Sequence, residues 1–125
     1  MNRNELTGTI ISKFNTAIQQ YFENGALQAN GLPTVAAIAA QLKMSPGYLS
    51  DLLRQETGRS AIDHIHSYLI SEAKNLLIGT DLTVAQIAYQ LGFENPPYFS
   101  RLFRKETGIN PVAYRKQKAL TMLTN

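Results

Sequence analysis

The sequence has 125 residues, of which 44% are hydrophobic, and it contains neither cysteine nor tryptophan. This length allows one domain or two small ones with a buried core, while the absence of cysteine excludes disulfides and thiolate metal sites. No stretch resembles a signal peptide or stays apolar for long enough to span a bilayer, so we expect a soluble protein without a membrane partner.

The formal net charge is +3, and the basic excess lies in the C-terminal part of the chain. Residues 96–125 contain six basic side chains and one acid, whereas residues 1–95 contain six basic side chains and eight acids. Such an asymmetry favours a polyanionic partner that is contacted mainly by the C-terminal part.

The first 33 residues are predicted to form a helix followed by a loop. Five apolar residues share one face of a helix from about Glu5 to Glu23: Ile10, Phe14, Ile18, Tyr21 and Phe22. The segment Asn24–Pro33 contains two glycines and a proline, which are typical of a loop. We expect this helix to cover the repeat that follows.

The central feature of the sequence is a pattern that occurs twice. Residues 34–58 read TVAAIAAQLKMSPGYLSDLLRQETG, and residues 83–108 read TVAQIAYQLGFENPPYFSRLFRKETG. Each copy predicts two helices joined by a tight turn. The first helices would be capped by Thr34 and Thr83, and the second would begin at Ser45–Pro46 and Asn95–Pro96, with proline at the first helical position. This spacing is that of a helix-turn-helix.

The second helix of the later copy has two unlike faces. Phe99, Leu102 and Phe103 fall on one side at helical spacing, and four other residues fall on the opposite side: Pro97, Ser100, Arg101 and Arg104. A face with two arginines suits a helix that lies in a DNA major groove. The alternative is an ordinary amphipathic helix with a solvated basic face, and the occurrence of two copies with matched caps disfavours it.

A long helix is predicted between the two copies, capped by Ser60 and ended by Gly79. Its apolar residues are expected on one face: Ile62, Ile65, Leu69, Ala73, Leu76 and Leu77. His64 and His66 on this helix are two residues apart and point in different directions, so we predict no metal site. A last helix should begin at Asn110–Pro111 and end near Leu120. No segment alternates with the period of a strand, and the predicted fold is therefore all-α with about seven helices.

The sequence divides into five segments. They are residues 1–33, an N-terminal helix and loop packing on the first subdomain; 34–58, the first helix-turn-helix; 59–79, the linker helix; 80–108, the second helix-turn-helix; and 109–125, the C-terminal helix and tail. The basic residues of the last segment, Arg115, Lys116 and Lys118, are either phosphate contacts or part of a frayed basic tail.

The chain resembles the AraC/XylS family of bacterial transcription regulators. The residues Ile87–Arg115 hold the family pattern IA…GF…YFSR.FK…G..P..YR, with Arg104 at the position that is usually Lys, and the resemblance covers about Thr34–Lys116. It implies two homeodomain-like helix-turn-helix subdomains joined by a long linker helix. It also implies sequence-specific binding to double-stranded DNA.

The resemblance assigns roles to individual residues. Base contacts would come from Gly47, Ser50 and Asp51 in the first motif and from Pro97, Ser100 and Arg101 in the second. Phosphate contacts would come from the helix starts at Thr34 and Thr83 and from Arg54, Arg104 and Lys105, with Arg115 and Lys116 as further candidates. No cofactor or metal is implied.

Several residues of the first copy depart from the second, and two of these departures affect its expected role. Asp51 stands where the second copy has Arg101, so it cannot contact guanine or phosphate favourably, although it can accept a hydrogen bond from cytosine N4. Lys43 stands at the turn position of Gly92, so the first turn should either differ in shape or be strained by roughly 1 kcal/mol. We therefore expect the first motif to be the poorer reader.

The expected function is transcription regulation by a cytoplasmic, nucleoid-associated bacterial protein that inserts two recognition helices into adjacent major grooves of an asymmetric site. We expect a monomer that is the DNA-binding part of a longer effector-sensing regulator, which would dimerise through an N-terminal domain, with a stand-alone regulator as the alternative. RNA polymerase is a second candidate partner. An enzyme is not expected, because the carboxylates are scattered and no nucleophile or phosphate loop is evident. The competing function is a helical protein-protein interaction module.

Overall fold

The structure is a computed structural model that describes residues 3–124, without the side chains of residues 3–9, 28 and 124. This part of the chain contains eight α-helices and no strand, which confirms the all-α prediction. The helices are α1 (Arg3–Glu23), α2 (Ala26–Asn30), α3 (Val35–Gln41), α4 (Pro46–Thr57), α5 (Ala61–Gly79), α6 (Val84–Gln90), α7 (Pro96–Thr107) and α8 (Pro111–Thr124).

Two predicted boundaries were wrong. The segment Asn24–Pro33 is not all loop, because the short helix α2 lies between Gly25 and Gly31, both with φ of 76°. This helix brings the total to eight where about seven were expected. The last helix does not end near Leu120 but continues to Thr124, and no Gly or Pro follows Pro111 to stop it.

The chain forms two compact units, residues 1–68 and residues 69–125, and α5 contributes its first part to one unit and its second part to the other. In unit 1, α1 packs on both α3 and α4. The core of this unit contains the fully buried side chains Phe14, Ile18, Ile38, Leu49 and Leu53. The Tyr21 hydroxyl donates to the Gly31 carbonyl at 2.8 Å and so fastens the end of α2 to α1.

Unit 2 is built around aromatic rings. The rings of Phe93 and Phe99 lie 5.1 Å apart between centroids, and those of Phe99 and Phe103 lie 6.1 Å apart. Phe103 also meets the ring of Tyr114 edge to face at 5.4 Å, which attaches α8 to α7. Ile87 on α6 is fully buried, as Ile38 is in unit 1, so the repeat in the sequence is also a repeat in burial.

The predicted helix caps are confirmed. Side-chain oxygens of six capping residues accept hydrogen bonds from backbone N–H groups of their own helices at 2.8–3.2 Å: Thr34, Ser45, Ser60, Thr83, Asn95 and Asn110. In the second copy Gln86 also accepts from the Thr83 N–H at 2.8 Å, which completes a capping box. The first copy has Ala37 at this position and therefore lacks that bond.

The two motif turns have the same shape. Lys43 has φ of 60° and Gly92 has φ of 96°, and each turn is closed by two backbone hydrogen bonds of 2.9 and 3.1 Å. Of the two expectations for Lys43, strain is therefore the correct one, because a side chain is forced into a left-handed conformation that glycine adopts without cost.

The long helix α5 is mostly buried along the predicted face. Ile65, Leu69, Ala73 and Leu77 are buried, but Ile62 was expected on this face and is 43% exposed. Periodicity alone predicted burial of this first turn, and that part of the prediction was wrong.

His64 on α5 is part of the core of unit 1. It meets the Phe14 ring edge to face, and its Nε2 lies 2.8 Å from the Thr57 hydroxyl, while burial lowers the pKa of the imidazole.

Within the described residues, no three His, Asp or Glu side chains lie close enough to hold a metal ion. None of the described helices combines the length and the apolar composition of a membrane span.

Candidate nucleic-acid interface

Helix α7 has one buried and one exposed face, as its spacing predicted. Phe99, Leu102 and Phe103 are buried against the rest of unit 2. The predicted contact residues on the other face are exposed or half-buried: Pro97, Ser100, Arg101, Arg104 and Lys105, of which only Ser100 is half-buried. The aromatic core thus holds α7 in place while its arginines remain accessible to a partner.

Helix α4 presents a matching but less basic face. Leu49 and Leu53 are buried, and the predicted contact residues are again accessible, with Gly47, Asp51 and Arg54 exposed and Ser50 half-buried. A Cβ atom added at Gly47 would meet nothing within 4 Å, so packing does not require glycine there. Because Gly47 has no side chain, only backbone is exposed at this position in the first turn of α4.

The exposed faces of these helices also carry side chains that were not among the predicted contacts. Tyr48 is 57% exposed and Tyr98 is 39% exposed, each in the first turn of its helix, and Gln55 is exposed near the end of α4. The Tyr98 ring meets the Phe93 ring edge to face at 5.9 Å, which orients it. Helical spacing from Asp51 and Arg101 places all three on the same faces as the predicted contacts, so the signal was present in the sequence.

The cationic side chains of α7 project from an exposed helix face. Among the residues that the structure describes, no salt bridge or side-chain hydrogen bond involves Arg101, Arg104 or Lys105. Exposed and unpaired cations at one helix face are available to bind phosphate or guanine. The predicted contacts at Thr34 and Thr83 differ, because their hydroxyl oxygens already accept hydrogen bonds from the helices that they cap.

Arg115 has a structural role that the sequence did not reveal. Its Nε donates to the Leu77 carbonyl at 2.9 Å, and its terminal nitrogen donates to the Thr80 carbonyl at 3.3 Å. These carbonyls lie at the C-terminal end of α5, where backbone acceptors lack partners within the helix and a positive charge is favourable. Arg115 therefore fastens α8 to the end of α5 within unit 2, and it is half-buried, whereas Lys116 beside it is exposed.

Lys118 and Lys74 both lie near the ring of Tyr114. Their Nζ atoms are 5.5 and 6.0 Å from the ring centroid, within the range of a cation-π interaction. These contacts attach the first turns of α8 to α5 within unit 2.

Comparison with known proteins identifies the family. A family model described as a helix-turn-helix domain matches residues 38–117. The arabinose operon regulatory protein of Escherichia coli (strain K12) is 38% identical over 81 residues, which cover 65% of this chain and 28% of that protein. The chain thus spans less than a third of the length of this relative.

Solved structures show the same fold. The C-terminal domain of the two-component response regulator yesN from Fusobacterium nucleatum is 32% identical with a TM-score of 0.67, and the match covers 81% of this chain and 96% of that one. The DNA-binding domain of AdpA, solved in complex with a target DNA, is 22% identical with a TM-score of 0.73, and the match covers 90% and 97%. By its motifs, its fold and these matches, the chain belongs to the AraC/XylS family of helix-turn-helix proteins.

Proposed function

We propose that the chain binds double-stranded DNA in a sequence-specific manner and acts in bacterial transcription regulation. The observation that carries the proposal is the exposed face of α7, where Arg101, Arg104 and Lys105 have no partner among the described residues and project from a helix held by a buried aromatic core. A rigid helix with free cations on its outer face has the form and charge that a major groove accepts. The relatives named above are regulators, and one of them is a DNA-binding domain in complex with DNA.

The residues of α7 would divide between two roles. Arg101 lies at the centre of the exposed face, opposite the buried side, and would fork onto the O6 and N7 atoms of a guanine. Arg104 and Lys105 lie farther along the helix and would contact phosphates, which position the helix without reading sequence. Ser100 and Pro97 would add a polar contact and an apolar contact with a thymine methyl group, respectively.

One chain would use both α4 and α7 on a single asymmetric site, in adjacent major grooves. The two exposed faces differ in composition, since α4 has Asp51 where α7 has Arg101, so the two half-sites should differ in sequence. The helix between the motifs, α5, has 19 residues and is therefore about 28 Å long, which is comparable to the ~34 Å repeat of the major groove.

Three further features of the protein are also proposals. We infer that the chain acts as the DNA-binding part of a longer regulator whose other part senses an effector and dimerises, since the arabinose regulator is more than three times as long as the matched segment. RNA polymerase is the proposed protein partner of such a regulator. Because DNA is the proposed target, we also propose that the protein acts in the bacterial cytoplasm, at the nucleoid.

The competing proposal is a protein-protein interaction module, and a salt series separates the two. Binding of the chain to a labelled random-sequence duplex should weaken steeply with salt, because each phosphate contact contributes a slope of about −0.9 in log K against log [salt]. Arg104→Gln and Lys105→Gln should each remove one phosphate contact and so lower the magnitude of this slope by about 0.9. Lys13→Gln removes an equal charge from an exposed position on α1 and should leave the slope unchanged. A chain that binds no duplex at low salt would contradict the proposed function.

A further inference from the structure

The exposed faces of α4 and α7 each carry a stripe of three side chains, spaced by three and then four residues. The stripe on α4 consists of Tyr48, Asp51 and Gln55, and the stripe on α7 consists of Tyr98, Arg101 and Lys105. All six residues are exposed; the second position of each stripe lies opposite the buried leucines or phenylalanines, and the tyrosine borders the buried side. The first position is tyrosine in both stripes. The two stripes therefore differ only at their second and third positions.

This difference reverses the charge of the two stripes, although Arg54 beside the α4 stripe matches Arg104 beside the α7 stripe. On α7 the second and third positions are both cationic, whereas on α4 they are the anionic Asp51 and the neutral Gln55. In the part of the chain that the structure describes, no hydrogen bond or ion pair engages the Asp51 carboxylate. A carboxylate placed in a major groove loses water and faces two rows of phosphates, so it disfavours binding unless a base supplies a hydrogen-bond donor.

The bases differ in what they offer to such a carboxylate. In the major groove guanine and thymine present only acceptors, and adenine presents its N6 donor beside the N7 acceptor, which repels a carboxylate. Cytosine presents its N4 amino group as a donor without an acceptor on the same base, and Asp pairs with that group. Ser50, half-buried and one position earlier on α4, can serve either a donor or an acceptor and does not change this preference. The Asp51 carboxylate on the α4 stripe therefore favours a cytosine, which presents a donor, and disfavours the bases that present an acceptor to it.

In place of the expectation that the first motif is the poorer reader, we propose that α4 is the discriminating helix and reads a cytosine through Asp51, while α7 supplies most of the general attraction to DNA. This inference rests on the proposed DNA-binding function and specifies the base that one of its two helices recognises. The two half-sites should then present opposite hydrogen-bonding groups in the major groove. The half-site under α4 requires the N4 donor of a cytosine, and the half-site under α7 presents the acceptors of guanine. Asp51 then raises specificity at the expense of affinity for DNA in general.

The test begins with selection of binding sites from a random duplex pool by the 125-residue chain. The selected site is then prepared with the cytosine assigned to α4 replaced by 2-pyrimidinone, which keeps the ring and lacks the amino group. Wild type should bind the altered duplex about tenfold more weakly. Asp51→Ala should bind both duplexes with equal affinity and should bind random-sequence DNA more tightly than wild type. Glu56→Ala removes an exposed acid from α4 outside the stripe and should retain the wild-type preference.

The possible outcomes separate this inference from the proposed function. Loss of the cytosine preference in Asp51→Ala alone supports the inference. If Asp51→Ala binds selected and random duplexes more tightly by the same factor and still prefers cytosine, Asp51 only repels phosphate and the inference is wrong, while DNA binding stands. Failure of wild type to enrich any duplex, or to bind one in a salt-dependent manner, would overturn the proposed function itself.

Discussion

The role of Arg115 can be tested by its removal. Arg115→Ala deletes two hydrogen bonds to carbonyls at the end of α5, one of 2.9 Å to Leu77 and one of 3.3 Å to Thr80. A hydrogen bond to a charged group contributes about 1.5–3 kcal/mol when its geometry is good. The second bond is long and the side chain is only half-buried, so we expect the variant to lose about 2–3 kcal/mol of the free energy of unfolding.

Urea denaturation followed by circular dichroism would measure this loss. Lys116→Ala is the matched control, because it removes the same charge from the neighbouring exposed position and should change stability by less than about 0.5 kcal/mol. Arg115→Lys keeps the charge but cannot reach both carbonyls with a planar fork, so it should recover only part of the loss.

DNA binding by the same variants distinguishes a structural role from phosphate contact. If Arg115 acts on α5 alone, Arg115→Ala should show an unchanged salt slope under conditions in which it is folded. An Arg115→Ala variant of wild-type stability, with a slope lower by about 0.9, would show that the guanidinium contacts phosphate and that our reading of its two hydrogen bonds is wrong.

Three other expectations concern single residues. Arg101→Ala should cost about 1–3 kcal/mol on the selected site and relax the preference at one or two base pairs; equal weakening on random duplexes would show a phosphate contact instead. Lys43→Gly should stabilise the chain by up to about 1 kcal/mol, because glycine adopts a positive φ without strain. Gly58→Ala, at φ of 76° with open space around its Cβ position, should destabilise the chain by about 1–2 kcal/mol. Denaturation midpoints equal to that of wild type would exclude backbone strain at these two positions. The lowered pKa of His64 means that the unfolded chain takes up this proton first, so stability should fall as the pH drops below about 6.5, and His64→Gln should make that fall shallower between pH 7 and 5.5; an unchanged profile would contradict the assignment.

The features that the sequence predicted correctly are those determined by neighbouring residues. A cap such as Asn95 and the proline after it act within one helical turn, and their pattern alone identified where α7 begins. The repeat then supplied a second instance of each signal. The buried and exposed faces of α7 followed from helical spacing, because its apolar side chains are large and well separated from its cations.

The features that were missed depend on contacts between distant residues or on the path of the backbone. Arg115 contacts a carbonyl 38 positions earlier, so no local pattern reveals its role. Lys43 was compatible with two turn shapes, and only the observed φ of 60° chose between them. The five-residue α2 lies in a segment whose composition is that of a loop, and it is too short for periodicity to detect.

The central claim is that one chain reads DNA with two recognition helices, and a footprint tests it most directly. Hydroxyl-radical and methylation-interference footprints of the 125-residue chain on its selected site, at measured stoichiometry, should show a 1:1 complex with two contacted major-groove segments about 10 base pairs apart. Asp51→Ala should alter interference in one segment and Arg101→Ala in the other. Contacts confined to a single segment, or a 2:1 complex that forms only on a palindrome, would contradict the account.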